Sequence, residues 1–389
     1  MSRALKPLNC ALFALILTVF SAFFPASAQT GSRTEALHLE QQNRSAEAEA
    51  AWQSIAAANP KNPEPYAHMA LLESRQENYP AAIENYRKAL ELGPALPGLE
   101  MNLGLACFKA NQFPDAIKAF SAELQKQPAD AATAHRLTIL LGMSHYGMGD
   151  YFVAIPYLQR AAAEDPQSLP IRLTLAHSCL WSRQYDCVMA TFKQILALNA
   201  DSAEADMLAG EALDEKGDDA GAVSQFRAAS LADPKQPNVH FGLGYLLWKQ
   251  KHFEEAAKEF QAELNNNSEH QQARSYLGDS LIELNRYEQA LPLLEQAAAA
   301  PAVMAMVHRD LGVVYAEAGR KEDAASELLK AISIDPKDVS PHWRLGKLYQ
   351  SMGKKDEAKA QFDIASAMNK ENSRPLAQEI GGEAPKTQP

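Results

Sequence analysis

One pair of residues in the sequence has the types and spacing of metal ligands. His177 and Cys179 are separated by a single residue, so their nitrogen and sulfur atoms could bind a metal such as zinc. A four-ligand site needs a second pair, and none follows at a suitable spacing. We therefore predict no metal site and interpret His177 as a residue that packs in the core or lines a binding groove.

Two other stretches resemble fragments of ligand-binding loops. The acidic stretch "DEKGDDAG" (214–221) could attract calcium, but its carboxylates do not have the EF-hand spacing. The "GLG" at 242–244 resembles part of a phosphate-binding loop, but the following glycine and lysine are missing and the surrounding pattern is helical. Neither a Gly-x-Ser-x-Gly nor a His-Glu-x-x-His motif occurs. The sequence therefore predicts no catalytic residue and no cofactor, and we do not expect an enzyme.

The cysteines allow two interpretations. In an oxidising compartment, Cys179 and Cys187 of "CLWSRQYDC" could close a disulfide across one turn. Alternatively, both of these and Cys107 are small buried residues, as cysteines often are. The sequence leaves the choice open.

The first 28 residues have the features of a secretory signal peptide. Arg3 and Lys6 make a positively charged start, Ala11–Phe24 is an apolar run, and Ala26–Ala28 has the small-x-small pattern of a signal-peptidase site. We predict cleavage before Gln29 and an exported mature protein, periplasmic or secreted from a bacterium. A retained membrane anchor is the alternative, although the apolar run is short for a spanning helix.

The elements that position these residues follow a 34-residue repeat. Gly210, Gly244, Gly278, Gly312 and Gly346 are each 34 residues apart. The stretches "LGYLLWKQKHFEEAAKEF", "LGDSLIELNRYEQALPLL", "LGVVYAEAGRKEDAASEL" and "LGKLYQSMGKKDEAKAQF" align without gaps. Each has an alanine twelve residues after its glycine and a bulky apolar residue four further on. Good helix formers with this periodicity predict a pair of helices per repeat.

The pattern resembles the tetratricopeptide repeat (TPR) family, whose units are 34 residues long. The resemblance implies an all-α fold, an α-solenoid (right-handed superhelix) of about ten helix-turn-helix units. We expect a signal peptide at 1–28, a TPR solenoid at 29–369, and a polar, disordered tail at 370–389. Between Pro128 and Pro166 the repeat is four residues longer, which predicts a first helix that begins one turn early. The small residues expected at helix crossings are Gly104, Gly142, Gly210, Gly244, Gly278, Gly312 and Gly346.

The resemblance also implies a binding surface. In the TPR fold the first helix of each unit lines the concave face, and positions 2, 5, 9, 12 and 13 of a unit point inward. In this sequence those positions are mostly apolar or aromatic in units three to five and seven, and acidic in unit six. The candidate groove residues are Met101, Leu105, Phe108, Met143, Tyr146, His177, Trp181, Glu211, Asp214, Glu215, Phe241, Tyr245 and Trp248. Alternatively, contacts between neighbouring first helices bury some of these side chains in the core.

The function that we predict is a non-catalytic protein-interaction scaffold. A peptide or protein segment would bind in the groove, with apolar side chains on the aromatic residues and a basic residue facing the acidic ones. The alternative is a non-catalytic subunit of an envelope enzyme or secretion complex, which positions a catalytic partner. A net charge of −11 argues against a nucleic-acid partner, and we predict no membrane contact beyond the signal segment. The oligomeric state stays open.

Overall fold

The computed structural model describes residues 30–93, 96–126, 130–198, 201–301 and 303–372. Within these ranges the chain forms twenty α-helices and no strand. They divide into two compact units, of which the first ends at Met148 and the second begins at Gly149. The predicted signal peptide and residues 373–389 of the predicted tail lie outside the described residues.

Seven helices belong to the first unit and thirteen to the second. The first unit contains α1 (Thr30–Gln41), α2 (Ser45–Ala58), α3 (Pro63–Arg75), α4 (Tyr79–Leu92), α5 (Leu99–Lys109), α6 (Phe113–Gln125) and α7 (Ala131–Met148). The second contains α8 (Tyr151–Glu164), α9 (Leu169–Trp181), α10 (Tyr185–Ala197), α11 (Ala203–Glu215), α12 (Asp219–Ala232), α13 (Val239–Lys249), α14 (Phe253–Asn266), α15 (Gln271–Glu283), α16 (Tyr287–Ala298), α17 (Ala305–Glu317), α18 (Lys321–Ile334), α19 (Val339–Ser351) and α20 (Lys355–Asn372).

Consecutive helices pack against each other within each unit. Odd-numbered helices are the first helices of the predicted repeats, and even-numbered helices are the second. In the second unit each first helix also contacts the first helix of the next repeat, from α9 with α11 to α17 with α19. The predicted all-α solenoid of helix-turn-helix repeats is confirmed.

The turn inside each repeat ends the first helix with a residue in the left-handed region. Gly217 has a φ of 79° and Arg183 has a φ of 57°. After α11, the N–H of Asp218 donates to the carbonyl of Leu213 at 2.9 Å, and after α9 the N–H of Gln184 donates to that of Cys179 at 2.8 Å. These bonds satisfy carbonyls that the helix end would otherwise leave without a donor. The chain therefore reverses within a few residues.

Two helices are longer than the others. Helix α7 spans 18 residues, whereas α9 spans 13, so the predicted extra turn in the fourth repeat is confirmed. Helix α20 also spans 18 residues and ends at Asn372, beyond residue 369, where the sequence places the end of the array.

The repeat glycines make room for a bulky side chain of the second helix. A Cβ on Gly244 would lie 2.8 Å from Cε1 of Phe260, which follows sixteen residues later and is fully buried. At Gly210 and Gly312 the backbone oxygen of the alanine twelve residues later, Ala222 or Ala324, also lies 3.3 Å from the added Cβ. The equivalent pairs are Gly104–Phe120, Gly210–Phe226, Gly278–Leu294, Gly312–Leu328 and Gly346–Phe362. Gly142 is buried on α7.

Candidate functional site

All the candidate groove residues lie on first helices. In the first unit, α5 carries Met101, Leu105 and Phe108, and α7 carries Met143 and Tyr146. In the second unit, α9 carries His177 and Trp181, α11 carries Glu211, Asp214 and Glu215, and α13 carries Phe241, Tyr245 and Trp248. The five residues of the first unit are half-buried, and the ring of Phe108 packs edge-on against Phe113 with centroids 5.7 Å apart.

An aromatic cluster joins α13 to α15. Its members are Phe241, Tyr245, Trp248 and Tyr276, of which the last lies on α15. Tyr276 is edge-on to Trp248 at a centroid distance of 4.9 Å and to Tyr245 at 5.5 Å. All four rings are half-buried, so they cover one another while each keeps some contact with solvent. The three candidate residues of α13 therefore contribute to packing between first helices, and their role in binding a partner stays a prediction.

A buried carboxylate network continues from this cluster to α17. It consists of Asp279 on α15 with Arg309 and Asp310 on α17. The indole Nε1 of Trp248 donates to Oδ2 of Asp279 at 2.6 Å, and Nη2 of Arg309 donates to Oδ1 of the same carboxylate. The Nε of Arg309 donates to Oδ1 of Asp310 at 2.8 Å. Asp279 is 3% exposed and Asp310 is 1% exposed, so the network excludes water as it links three successive first helices.

Burial dominates the ionisation of Asp310. Removal from water, together with the nearby Asp279 carboxylate, outweighs the opposing effect of Arg309 and raises the pKa of this carboxyl to about 8. Its Oδ2 has no hydrogen-bond partner. Burial disfavours the charge on Arg309, but Asp310 and Asp279 together raise its pKa above the usual value. Near neutral pH, the Asp310 carboxyl therefore stays largely protonated beside Arg309.

This arrangement predicts a pH-dependent stability. In the folded protein the pKa of Asp310 is about 8, whereas the pKa of an aspartate in an unfolded chain is about 4. Because the folded state binds the extra proton, the free energy of unfolding should fall as the pH rises through that window. Asp310→Asn cannot lose a proton, so its melting temperature should change less across the window than that of the wild type.

Thermal melts of both proteins at several pH values measure this effect. Burial also raises the pKa of Asp206, to about 6, so this residue changes stability with pH in the same direction. Because Asp206 is present in both proteins, the difference between their melting temperatures reports Asp310 alone. If the melting temperatures of the two proteins changed equally with pH, Asp310 would be ionised in the folded state as readily as in the unfolded chain.

The acidic residues of α11 already have partners within the second unit. Lys249 of α13 donates to Oδ1 of Asp214 at 2.6 Å, and this hydrogen bond raises the pKa of the lysine. The hydroxyl of Tyr185 donates to Glu215 at 3.2 Å. Glu211 and Glu215 are exposed, whereas Asp214 is half-buried. Lys249 is therefore the counterion of Asp214.

Trp181 is the most exposed of the candidate aromatic residues. It lies at the end of α9, is 56% exposed, and has its ring 5.6 Å from that of Tyr151. On the same helix, Nε2 of His177 lies 2.8 Å from Oε1 of Glu204 on α11. The indole of Trp181 is therefore held on a first helix with most of its surface open to solvent.

The structure joins Cys179 to Cys187 by a disulfide. The Cα atoms are 5.8 Å apart, and the bond ties the end of α9 to the start of α10 directly beside Trp181. Cys179 is thus not a free ligand for a metal, and the described residues include no group of three or more His, Cys, Asp or Glu side chains that could hold one. Cys107 is a buried free thiol, and burial raises its pKa to about 11.

Sequence reasoning missed Tyr276 and Asp310 as residues of this surface. Both lie two residues before a repeat glycine, a position between those that the family pattern directs inward. A signal was present for Asp310, because a carboxylate at this position of an otherwise apolar helix face needs a partner when it is buried. The position of Tyr276 has no such signal, since an aromatic residue fits the core of any helix pair.

The chain was compared with known protein families and structures. Tetratricopeptide repeat models match residues 33–97, 68–131, 190–237, 220–270 and 276–339, and two further models of the same description match 145–212 and 339–372. No curated protein sequence matches the chain. Among the described residues, no helix has both the length and the apolar character needed to cross a membrane.

Several solved structures resemble the chain. A tetratricopeptide repeat protein from Parabacteroides merdae is 16% identical, with 64% of this chain and 97% of that one covered and a TM-score of 0.46. MamA from Desulfovibrio magneticus is 22% identical over 45% of this chain and 99% of its own, with a TM-score of 0.40. The Naa15/Naa10 complex bound to HypK is 17% identical over 88% of this chain and 63% of that one, with a TM-score of 0.42. Because the family models match well over half of the sequence and the helix pairs follow the same period, the chain belongs to the tetratricopeptide repeat family.

Proposed function

We propose that this protein is a non-catalytic scaffold that binds a protein or peptide segment along the first helices of its second unit. TPR arrays bind protein partners and are generally not catalytic. The observation that carries the proposal is the exposed indole of Trp181 on α9, 56% exposed in a helical repeat protein. Tryptophan is among the residues that contribute most to binding when a partner covers it. An open aromatic side chain on this face therefore supports a docking role.

The chemistry around Trp181 suggests what the segment contains. Tyr151 extends the apolar surface beside the indole, and Glu215 is exposed with a neutral phenol as its hydrogen-bond partner. A segment with an apolar residue for Trp181 and a basic residue for Glu215 would satisfy both. Asp214 is less suitable for the basic residue because Lys249 already neutralises it.

The leader places this scaffold outside the cytoplasm in our proposal. The charged start, the apolar run and the small-x-small site at Ala26–Ala28 support export followed by cleavage before Gln29. The disulfide between Cys179 and Cys187 fits an oxidising compartment. The partner is therefore sought in the envelope fraction, and the N-terminal residue of the protein recovered from cells reports whether cleavage occurs.

Affinity capture with a matched pair of tryptophan variants tests the binding surface. Trp181→Ala should reduce recovery of the partner by about tenfold or more, since it removes a central aromatic contact. Trp343→Ala is the control, because Trp343 is 46% exposed on a first helix far along the chain, where it lies under Lys347. Both substitutions are at exposed positions and should leave the melting temperature nearly unchanged.

Equal recovery by the wild type and Trp181→Ala would reject this surface as the binding site. Loss with Trp343→Ala instead would move the site to the last repeat. If the protein lost with Trp181→Ala is a catalytic subunit present in stoichiometric amount, the scaffold acts as part of an enzyme or secretion complex.

A further inference from the structure

A cavity in the second unit is lined by helices other than α13 and α15, which carry the aromatic cluster. It has a volume of about 420 Å³ and is bounded by α8, α9 and α10. Small side chains such as Ala162 and Ala190 form much of its wall, and Thr191 and Gln194 add polar groups. Of the described residues that line it, Arg172 carries the one formal charge and none carries a carboxylate.

The guanidinium of Arg172 is buried and incompletely bonded. The residue is 6% exposed, and its hydrogen bonds go to backbone carbonyls. Nη1 donates to the carbonyls of Asp165 at 3.5 Å and Ser168 at 3.2 Å, and Nη2 donates to that of Ala162 at 3.5 Å. Nε has no partner. A guanidinium has five N–H donors, so these contacts leave the Nε–H and one N–H of Nη2.

On a guanidinium, the Nε–H and the neighbouring N–H of Nη2 form one edge. Parallel N–H bonds from such an edge match the two oxygens of a carboxylate, which is the strongest common arrangement for arginine. A buried cation without an opposite charge is unfavourable, and a buried donor without an acceptor costs about 1–3 kcal/mol. Binding a carboxylate at this edge would remove both penalties.

Other repeats show what this position normally contacts. His240, His308 and His342 are equivalent to Arg172, and each packs on the residue nineteen positions later. His240 Nδ1 lies 2.7 Å from Oε2 of Glu259, and His308 Nδ1 lies 2.6 Å from Oε2 of Glu327. For His342 the partner is the Oε1 of Gln361.

Arg172 lacks this partner. The residue nineteen positions later is Thr191, whose hydroxyl donates to the carbonyl of Cys187 at 2.9 Å. Arg274 is the other arginine at this position, and it donates through Nη1 to the side chain of Gln271 at 2.7 Å. Among the described repeats, the one with Arg172 therefore combines a buried cation with a cavity in place of a side-chain acceptor.

We infer that this cavity binds a carboxylate, held by the Nε and Nη2 edge of Arg172. The alanine-lined wall suits a short aliphatic chain next to the carboxylate. Such a group is present in a free short-chain organic acid and in the side chain of a glutamate or aspartate from a docked segment. Arg172 and Trp181 both lie on α9, but none of the candidate groove residues lines the cavity, so the site does not depend on the proposed groove.

Titrations of the mature chain followed by NMR test the inference. The Nε–H resonance of Arg172 is a direct probe, assigned by its absence in Arg172→Gln. Propionate should shift this resonance to saturation, whereas propionamide, its neutral analogue of similar shape, should not. The peptide acetyl-Ala-Glu-Ala-amide presents the same carboxylate on a side chain, so the better of the two ligands identifies the source.

Two variants separate binding from folding. Arg172→Lys keeps the positive charge but cannot form two parallel bonds, so propionate affinity should fall by about tenfold or more. Arg274→Lys, at the equivalent repeat position, should bind propionate as the wild type does. The propionate and propionamide titrations of the wild-type chain test the inference even if a variant unfolds.

Three outcomes would overturn the inference. The first is the absence of a saturable shift with either carboxylate up to about 100 mM, because the dissociation constant would then be too high for specific binding. The second is an equal response to propionamide. The third is an unchanged affinity in a folded Arg172→Lys variant.

Discussion

Gly244→Leu is expected to lower the free energy of unfolding by about 3 kcal/mol, at the upper end of the effect of overpacking a core. A Cβ at this position would already lie 2.8 Å from Cε1 and 2.9 Å from Cδ1 of Phe260. Phe260 is fully buried between α13 and its neighbours, so its ring has no solvent-facing space into which it can move. Urea denaturation followed by circular dichroism measures the change.

A smaller substitution and a compensating one make this prediction specific. Gly244→Ala should cost about 1 kcal/mol, because the gain in helix propensity offsets part of the clash. Combining Gly244→Leu with Phe260→Ala should cost less than the sum of the two single changes, since the leucine can occupy the space of the lost ring. Additive costs would show that the glycine is needed for a reason other than contact with Phe260.

Asp279→Ala is expected to lower the free energy of unfolding by about 3 kcal/mol, as breaking a buried ion pair does. The substitution removes the acceptor of Trp248 Nε1 and one of the two carboxylates that hold Arg309. Because Asp279 is 3% exposed, water cannot replace it without opening the contact between α13, α15 and α17. Urea denaturation gives the loss, and tryptophan fluorescence reports the change around Trp248.

Glu283→Ala is the matched control, since Glu283 is an exposed carboxylate on the same helix. It should change stability by less than about 0.5 kcal/mol. The pH dependence offers an independent check. The Asp279 carboxylate helps to raise the pKa of Asp310, so Asp279→Ala should lower that pKa and move the pH-dependent loss of stability to lower pH. Equal effects of the two alanine substitutions would contradict a structural role for the network.

The network also changes how Trp248 can be studied. Sequence reasoning placed Trp181 and Trp248 together in one groove. In the structure Trp181 is 56% exposed, whereas Trp248 is half-buried, edge-on to Tyr276 and hydrogen-bonded to Asp279. Substituting Trp248 is therefore expected to disturb packing, and a change in binding could not be assigned to a lost contact. For this reason the binding test relies on Trp181 with Trp343 as its control.

The sequence by itself determined the architecture. The 34-residue spacing from Gly210 to Gly346, with an alanine and a bulky residue at constant distances, is sufficient to predict helix pairs and their turns. The longer fourth repeat predicted the extra turn of α7. These features are local, since each repeat contains both helices of a pair and the turn between them, so one chain segment encodes the whole element.

Only the tertiary structure decided which side chains on the first helices pack and which stay open. Trp248 is covered because the next repeat presents Tyr276 and Asp279, whereas Trp181, one position later in its own repeat, is exposed. Arg172 lacks a side-chain acceptor because Thr191 stands where the repeat with His240 has the carboxylate of Glu259. A residue's burial and charge pairing depend on what a neighbouring helix brings to the contact, and the period of a sequence does not contain that information.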